Sequence, residues 1–314
     1  MRVGIVDCGT NTVRLLIADV DPGRGVLTDV VRLLRFVRLG QGVDATRRFH
    51  ADALTRTFAA LDEYASLIAK HGPLEGLRFL ATSAARDVTN RDDFFQGVEQ
   101  RLRVVPEVIS GIEEARLSFA GALAGGPVPA GSVLVVDIGG GSTELILGNP
   151  AGGVIAAESI DVGSVRLRER FLHDDPPIDG QITDATSHVA HLLDGGTIDL
   201  SALAHTTLIG VAGTNTSLSA MHMGLTTYDA GRVHNSSLTP AEVAKLAAYL
   251  LATPVVEVAA RYPFLEPMRA EVICAGALIC DEVTRRVGQS MLIRETDILD
   301  GAAMMLANAL VAQR

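Results

Sequence analysis

Two carboxylates, Asp7 and Asp137, each end an apolar run and open a glycine turn. The run Val3-Gly-Ile-Val-Asp-Cys-Gly-Thr-Asn-Thr-Val-Arg-Leu-Leu-Ile17 aligns with Val133-Leu-Val-Val-Asp-Ile-Gly-Gly-Gly-Ser-Thr-Glu-Leu-Ile-Leu147 at a constant offset of 130 residues. Asp7 falls on Asp137, Gly9 on Gly139, Thr12 on Ser142 and Leu15 on Leu145. Each copy reads as apolar strand, Asp-x-Gly, small polar residues, apolar strand. Glycine lets a backbone turn tightly and bring N–H groups close to an anion. Hydroxyls at Thr10, Thr12, Ser142 and Thr143 add hydrogen bonds. A carboxylate at a strand end can hold a hydrated metal ion that bridges to phosphate oxygens. The chemistry suggested is phosphate clamped by two hairpins, Gly9-Thr10-Asn11 in one and Gly139-Gly140-Gly141-Ser142-Thr143 in the other. One glycine hairpin alone is weak evidence. Two in register, with the aspartate at the same place, point to two related domains rather than a solenoid.

Other phosphate motifs do not fit. There is no GxxxxGK[ST], and Gly139-Gly140-Gly141 has neither GxGxxG spacing nor a following helix. A third small-polar turn, Gly213-Thr-Asn-Thr-Ser217, follows the strand-like Thr207–Ala212 and enters a helix, which adds Gly213 and Thr214 to the candidate phosphate contacts.

The elements that must position these turns alternate between strand and helix. Ala51–His71 carries Leu54, Phe58, Leu61, Tyr64 and Ile68 at helical spacing. Leu77–Ala81 reads as a strand leading into Thr82-Ser-Ala-Ala-Arg-Asp87, and Val104–Ile109 as another. Ser110-Gly-Ile-Glu113 has the capping-box pattern and sets Glu113 and Glu114 in a first helical turn. Residues 124–131, rich in Gly and Pro, read as a link into the second half. Helices are predicted over Pro240–Leu251, over about Pro267–Arg286, and from about Asp297 to the end.

The 314 residues suit two domains, built from aliphatic side chains: 48% are hydrophobic and only 4% aromatic, with no Trp. A net charge of −10 argues against nucleic-acid or membrane partners. Cys8, Cys274 and Cys280 lack CxxC pairing and read as buried, inert thiols rather than a disulfide framework or zinc site. The longest apolar run, Val272–Cys280, is too short to span a bilayer. With a strand starting at Val3, no signal peptide is expected, and the chain reads as cytoplasmic.

Taken together, several runs resemble the exopolyphosphatase and guanosine pentaphosphate phosphohydrolase family. They are Asp7–Leu15, Ala81–Asp87, Ile109–Leu117, Asp137–Glu144, Gly213–Ser217, Tyr228-Asp-Ala-Gly-Arg-Val-His234 and Arg269-Ala-Glu-Val-Ile-Cys-Ala-Gly-Ala277. They cover nearly the whole chain in order. The end, Ile293-Arg-Glu-Thr-Asp-Ile-Leu-Asp-Gly301, departs from the commoner Gly-Leu-Arg-Glu-Gly pattern and looks more like the short actinobacterial exopolyphosphatases. The resemblance implies an α/β fold of two ribonuclease-H-like domains of the actin, hexokinase and Hsp70 superfamily, with the active site in the interdomain cleft. Domain I would be residues 1–124, with the C-terminal helix (about 299–314) packing back on it, and domain II residues 125–298. The extra helical domains of longer members are not expected after Arg314.

The resemblance also implies roles. Glu114, the second Glu of the Ser-Gly-x-Glu-Glu run, would activate the attacking water. Asp137 and Glu144 would be the Mg2+-associated positions (or Mn2+), with Asp7 facing them, directly or through water. Arg86 and Arg14 are the cationic candidates for phosphate, and Arg14 equally suits an ion pair at the surface or between domains. Arg32, Arg35 and Arg38 read as a solvated face, and His234 as structural. The substrate would be inorganic polyphosphate or guanosine pentaphosphate (pppGpp). The second would tie the protein to the stringent response. A homodimer is possible. Two alternatives stand beside this reading. A small-molecule kinase of the same superfold would need an adenosine pocket and an acceptor, whereas Ser110–Leu117 points to water. An actin-like filament or nucleotide switch would be a non-enzymatic alternative, for which the chain is short.

Overall fold

The computed structural model describes every residue except Gly125 and Val128, so part of the link read over residues 124–131 lies outside the described residues. The chain forms two compact units, one of Met1–Ala124 with Ile298–Arg314, the other of Gly125–Asp297. Each is built on a mixed sheet.

In the first unit the strands are β1 (Arg2–Cys8), β2 (Thr12–Asp21), β3 (Val26–Phe36), β4 (Gly76–Ala81) and β5 (Glu107–Val108), in spatial order β3-β2-β1-β4-β5. β1 and β2 form an antiparallel hairpin, and β4 lies parallel to β1 on its other side. Side chains alternate across a strand, so β1 feeds two cores. Val6 and Cys8 face a cluster that includes Leu61 and Tyr64 of the helix Ala51–His71, with Phe94 of the helix Arg91–Leu102. Val3 and Ile5 face the C-terminal helix Ile298–Ala312, through Leu299, Ala302 and Ala303, and Leu117 of the helix Gly111–Ala124. β5 is shorter than the Val104–Ile109 run suggests; Pro106, which has no N–H for a ladder, sits just before it.

The second unit repeats the plan. Its strands are β6 (Val133–Ile138), β7 (Thr143–Asn149), β8 (Gly153–Ile160), β9 (Thr207–Val211), β10 (Ser237–Leu238) and β11 (Met291–Ile293), ordered β10-β11-β9-β6-β7-β8. β6, β7, β8 and β9 hold the places of β1, β2, β3 and β4, with the same parallel and antiparallel senses. All six residues of β6 are buried, as expected of a central strand covered on both faces. One large core joins it to the helices Ala212–His222, Pro240–Ala252 and Ile273–Val287. The helix predicted over Pro267–Arg286 is two: Pro267–Ala270, a turn at Glu271 and Val272, then Ile273–Val287. The break sits where the Arg269 side chain turns to the Gly213 carbonyl and, at 3.0 Å, to Ser217 Oγ.

Candidate active site

The offset of the sequence repeat survives as hydrogen-bond geometry. In the first hairpin Gly9 N–H donates to the Thr12 carbonyl at 2.9 Å; in the second Gly139 N–H donates to the Ser142 carbonyl at 3.0 Å. What holds each loop is a segment following the third strand of its unit. In the second unit Ser164 N–H donates to Gly139 O (3.0 Å), and Val165 and Arg166 N–H donate to Gly140 O (2.9 and 3.1 Å). The buried Arg166 side chain donates from Nε to Gly141 O at 2.8 Å. These peptides are trans. In a trans peptide the C=O of one residue and the N–H of the next point in opposite directions. Three successive carbonyls turned toward the helix Ser164–Phe171 therefore turn the N–H groups of Gly140, Gly141 and Ser142 the other way. Backbone N–H groups turned outward from a loop in this way can receive an anion. None of the bonds just named uses those three donors. In the first unit Gly40 N–H takes the Thr10 carbonyl (2.8 Å), and Val37 and Arg38 N–H take that of Asn11 (3.0 and 2.8 Å). The same logic turns the N–H groups of Asn11 and Thr12 away. The Thr143 hydroxyl, by contrast, is spent on the Val162 carbonyl at 2.6 Å.

The two hairpins differ at one paired position. Asp7 lies opposite Arg14 across the β1–β2 ladder, and Asp137 lies opposite Glu144 across β6–β7. Cross-strand partners share a face. Arg14 closes on Asp7, its Nη2 2.6 Å and its Nε 3.0 Å from Oδ2. The first unit thus neutralises its aspartate with an internal cation, and Arg14 is the partner of Asp7. The second unit sets two carboxylates side by side, 7% and 1% exposed. Like charges so placed repel unless a proton or a cation intervenes. Ser159 Oγ, from the neighbouring β8, donates to Glu144 Oε1 at 2.7 Å and fixes its orientation. Among the described residues no three His, Cys, Asp or Glu side chains converge as a metal cluster. Asp137 and Glu144 fit an ion that takes two oxygen ligands from protein and keeps the rest of its shell as water or phosphate, the habit of Mg2+.

Around the first hairpin the C-terminal ends of the parallel strands β1, β4 and β5 line up. β4 leads into the one-turn helix Ser83–Arg86, and β5 into the helix Gly111–Ala124. Ser110 Oγ accepts from Glu113 N–H at 3.1 Å, which starts that helix. The Glu113 carboxylate lies 3.5 Å from the Arg78 guanidinium. Glu114, next in line, is drawn the other way: Arg86 Nη1 donates to its Oε2 at 2.7 Å and to the Ile109 carbonyl at 3.0 Å. Its carboxylate also sits in the first turn of a helix, where the dipole favours negative charge. Arg86 and Glu114 form a half-buried ion pair in which each orients the other.

The third turn enters its helix one residue early. Ala212 adopts a left-handed φ of 64° and begins the helix, so Gly213 and Thr214 lie in its first turn. Thr214 Oγ1 donates to Ile138 O at 3.2 Å, and Asn215 Nδ2 to Val136 O and Val211 O at 3.1 and 2.8 Å. These bonds lock the turn to the end of β6. Sequence reasoning missed Arg166, Ser159 and the function of Arg269. Arg269 lay in a quoted motif; Arg166 and Ser159 carried no signal, because their partners lie 25 and 15 residues away in chain.

Residues 16–297 match the Ppx/GppA phosphatase family. The chain belongs to it. Exopolyphosphatase 2 of Mycobacterium tuberculosis is 43% identical over 318 aligned positions, covering 98% of each chain. A crystal structure of an exopolyphosphatase-like protein superposes with a TM-score of 0.91 at 39% identity, covering 99% of this chain and 98% of that one. The Aquifex aeolicus Ppx/GppA family member gives 0.80 at 29% identity, covering 98% of both. The two units of the chain repeat one strand order in their two sheets. In this Ppx/GppA chain Arg32 is exposed, as read, and also pairs with Asp29 (2.6 Å) and with buried Asp300 (2.5 Å) at the start of the C-terminal helix. On a strand, period three puts Arg32 and Arg35 on opposite faces, and Arg35 pairs with Glu63. His234 Nδ1 accepts from Glu295 N–H at 3.1 Å, a bond that ties two loops.

Proposed function

We propose that this protein is an exopolyphosphatase that hydrolyses the terminal phosphoanhydride of inorganic polyphosphate and releases orthophosphate. The observation that carries the reaction type is the Arg86–Glu114 pair at 2.7 Å, a carboxylate and a phosphate-seeking cation held together on the helices that follow β4 and β5. The substrate is carried over from the mycobacterial relative's name, supported by likeness over 98% of both chains.

On this reading Glu114 orients a water and takes its proton as the oxygen attacks the terminal phosphorus. The bond to the bridging oxygen breaks, and the shortened chain leaves. Arg86 binds a phosphate oxygen while keeping Glu114 in place. Within the first unit the N–H groups of Asn11 and Thr12, and within the second those of Gly140, Gly141 and Ser142, are each turned so as to take up charge on phosphate oxygens. Asp137 and Glu144 would hold Mg2+ (or Mn2+), which would supply further charge neutralisation at phosphate. Gly213 and Thr214 close the phosphate pocket of the second unit through backbone N–H groups. The proposal extends, on family resemblance alone, to a cytoplasmic homodimer, which sedimentation of the purified protein checks.

The deciding experiment measures phosphate release from short polyphosphate, long polyphosphate, pppGpp and ATP, with and without excess EDTA. Polyphosphate is expected to dominate and EDTA to stop it. Preference for pppGpp would move the protein to the other branch of its family, and full activity in EDTA would remove the metal.

A further inference from the structure

We propose that Arg166 is the residue that sets the phosphate loop of the second unit for catalysis, acting through its Nε–H on the Gly141 carbonyl. The inference rests on the phosphate-loop reading above.

The start of the helix Ser164–Phe171 reaches the loop only because residue 163 is glycine. A Cβ there would lie 2.5 Å from the Gly140 carbonyl carbon and 2.6 Å from both its oxygen and Gly141 N. At that approach the backbone N–H groups of Ser164, Val165 and Arg166 are all used on the carbonyls of Gly139 and Gly140. The third carbonyl, of Gly141, takes its bond from a side chain, and Arg166 Nε is placed 2.8 Å from it. The peptide plane that carries this carbonyl also carries the Ser142 N–H. Holding the one aims the other. The guanidinium stem is buried, with Arg166 only 7% exposed. A buried arginine with its Nε committed to a loop carbonyl is a brace.

Three substitutions separate brace from charge. In Arg166→Gln the side-chain amide nitrogen hangs from the same δ-carbon position as Nε, so a donor to Gly141 O is kept and the charge is lost. Arg166→Lys keeps the charge and has no nitrogen at that position. Arg166→Met keeps neither. If Arg166 braces the loop, Met and Lys lower kcat by about 10²-fold, the loss seen when one preorganised donor is removed, while Gln stays within about tenfold of the parent. KM moves by less than about threefold in all, because the aimed N–H strengthens only in the transition state. Amide hydrogen exchange over residues 139–143, measured on the full chain without substrate, accelerates in Met and Lys and not in Gln. Retained turnover in Lys with loss in Gln would overturn the proposal and make Arg166 a charge contact. So would unchanged exchange and turnover in all three. Should Met fail to fold, the Lys and Gln pair still decides. Should the parent protein release no phosphate, the functional reading fails, yet the exchange comparison still tests the brace.

Discussion

At the scale of single residues, the site is a set of choices between like and unlike partners. Glu114 is held by Arg86, so the two act as a unit. We expect Glu114→Gln to lower kcat by about 10²–10⁴, the usual cost of losing a general base. Arg86→Ala should lower kcat as well as raise KM, because it frees the base as well as removing a phosphate contact. The double variant should be far less damaged than the two losses multiplied; strictly multiplicative losses would show that the pair is not coupled in catalysis. A second expectation uses the repeat itself. Arg14 and Glu144 hold the same place in the two hairpins, opposite Asp7 and Asp137. Glu144→Arg should rebuild the ion pair of the first unit inside the second. The protein should fold with a melting temperature at or above the parent's, lose Mn2+ binding measured by calorimetry, and lose phosphate release. Retained Mn2+ affinity would place the ion elsewhere.

At the scale of elements, two helix starts matter. The C-terminal helix lies against the helix that carries Glu114, and they touch at glycine. A Cβ on Gly301 would land on the Leu117 carbonyl oxygen and lie 3.0 Å from Gly121 N, backbone that cannot swing aside. Gly301→Ala should therefore cost about 1–3 kcal/mol, read as a lower melting temperature, despite the better helix propensity of alanine. A neutral or stabilising result would mean the helices can separate freely. The helix Pro240–Ala252 opens with a full capping box between Thr239 and Glu242. The Thr239 backbone N–H, and then its side chain, hold the Glu242 carboxyl below the usual range. A carboxylate with a lowered folded-state pKa stabilises fully above its unfolded value, and that contribution disappears as pH falls through the lowered one. Glu242→Gln should thus cost about 0.3–1 kcal/mol at neutral pH. The gap to the parent should close on acidification. A gap that widens in acid would reverse the sign.

At the scale of the whole molecule, the proposed site residues sit at strand ends, turns and helix starts, while the thiols lie in the cores. Cys8, Cys274 and Cys280 are at most 5% exposed. Burial pushes all three thiols up, aided at Cys8 by Asp7 and at Cys280 by Asp281, so none presents a thiolate. The native protein should leave all three unreacted with Ellman's reagent and expose three on unfolding. A fast-reacting thiol in the native state would contradict this packing. No helix among the described residues is long and apolar enough to cross a membrane.

The sequence by itself carried whatever is written in short-range pattern. The hairpins around Asp7 and Asp137 are legible because an apolar run, a glycine turn and a second apolar run are contiguous, and because they occur twice at one offset. The helix Ala51–His71 is legible from its spacing, and the helix after Thr239 from its cap. Tertiary structure decided the partners. Whether Arg14 meets phosphate or Asp7 depends on strand register, and the partner of the exposed Arg32 is Asp300, 268 residues away. The brace at Arg166 exists only because β8 delivers Gly163 against the loop. Local spacing fixes which backbone turns form. Which carbonyls those turns present, and to which side chain, is fixed by packing between segments distant in the chain, and no local period encodes that.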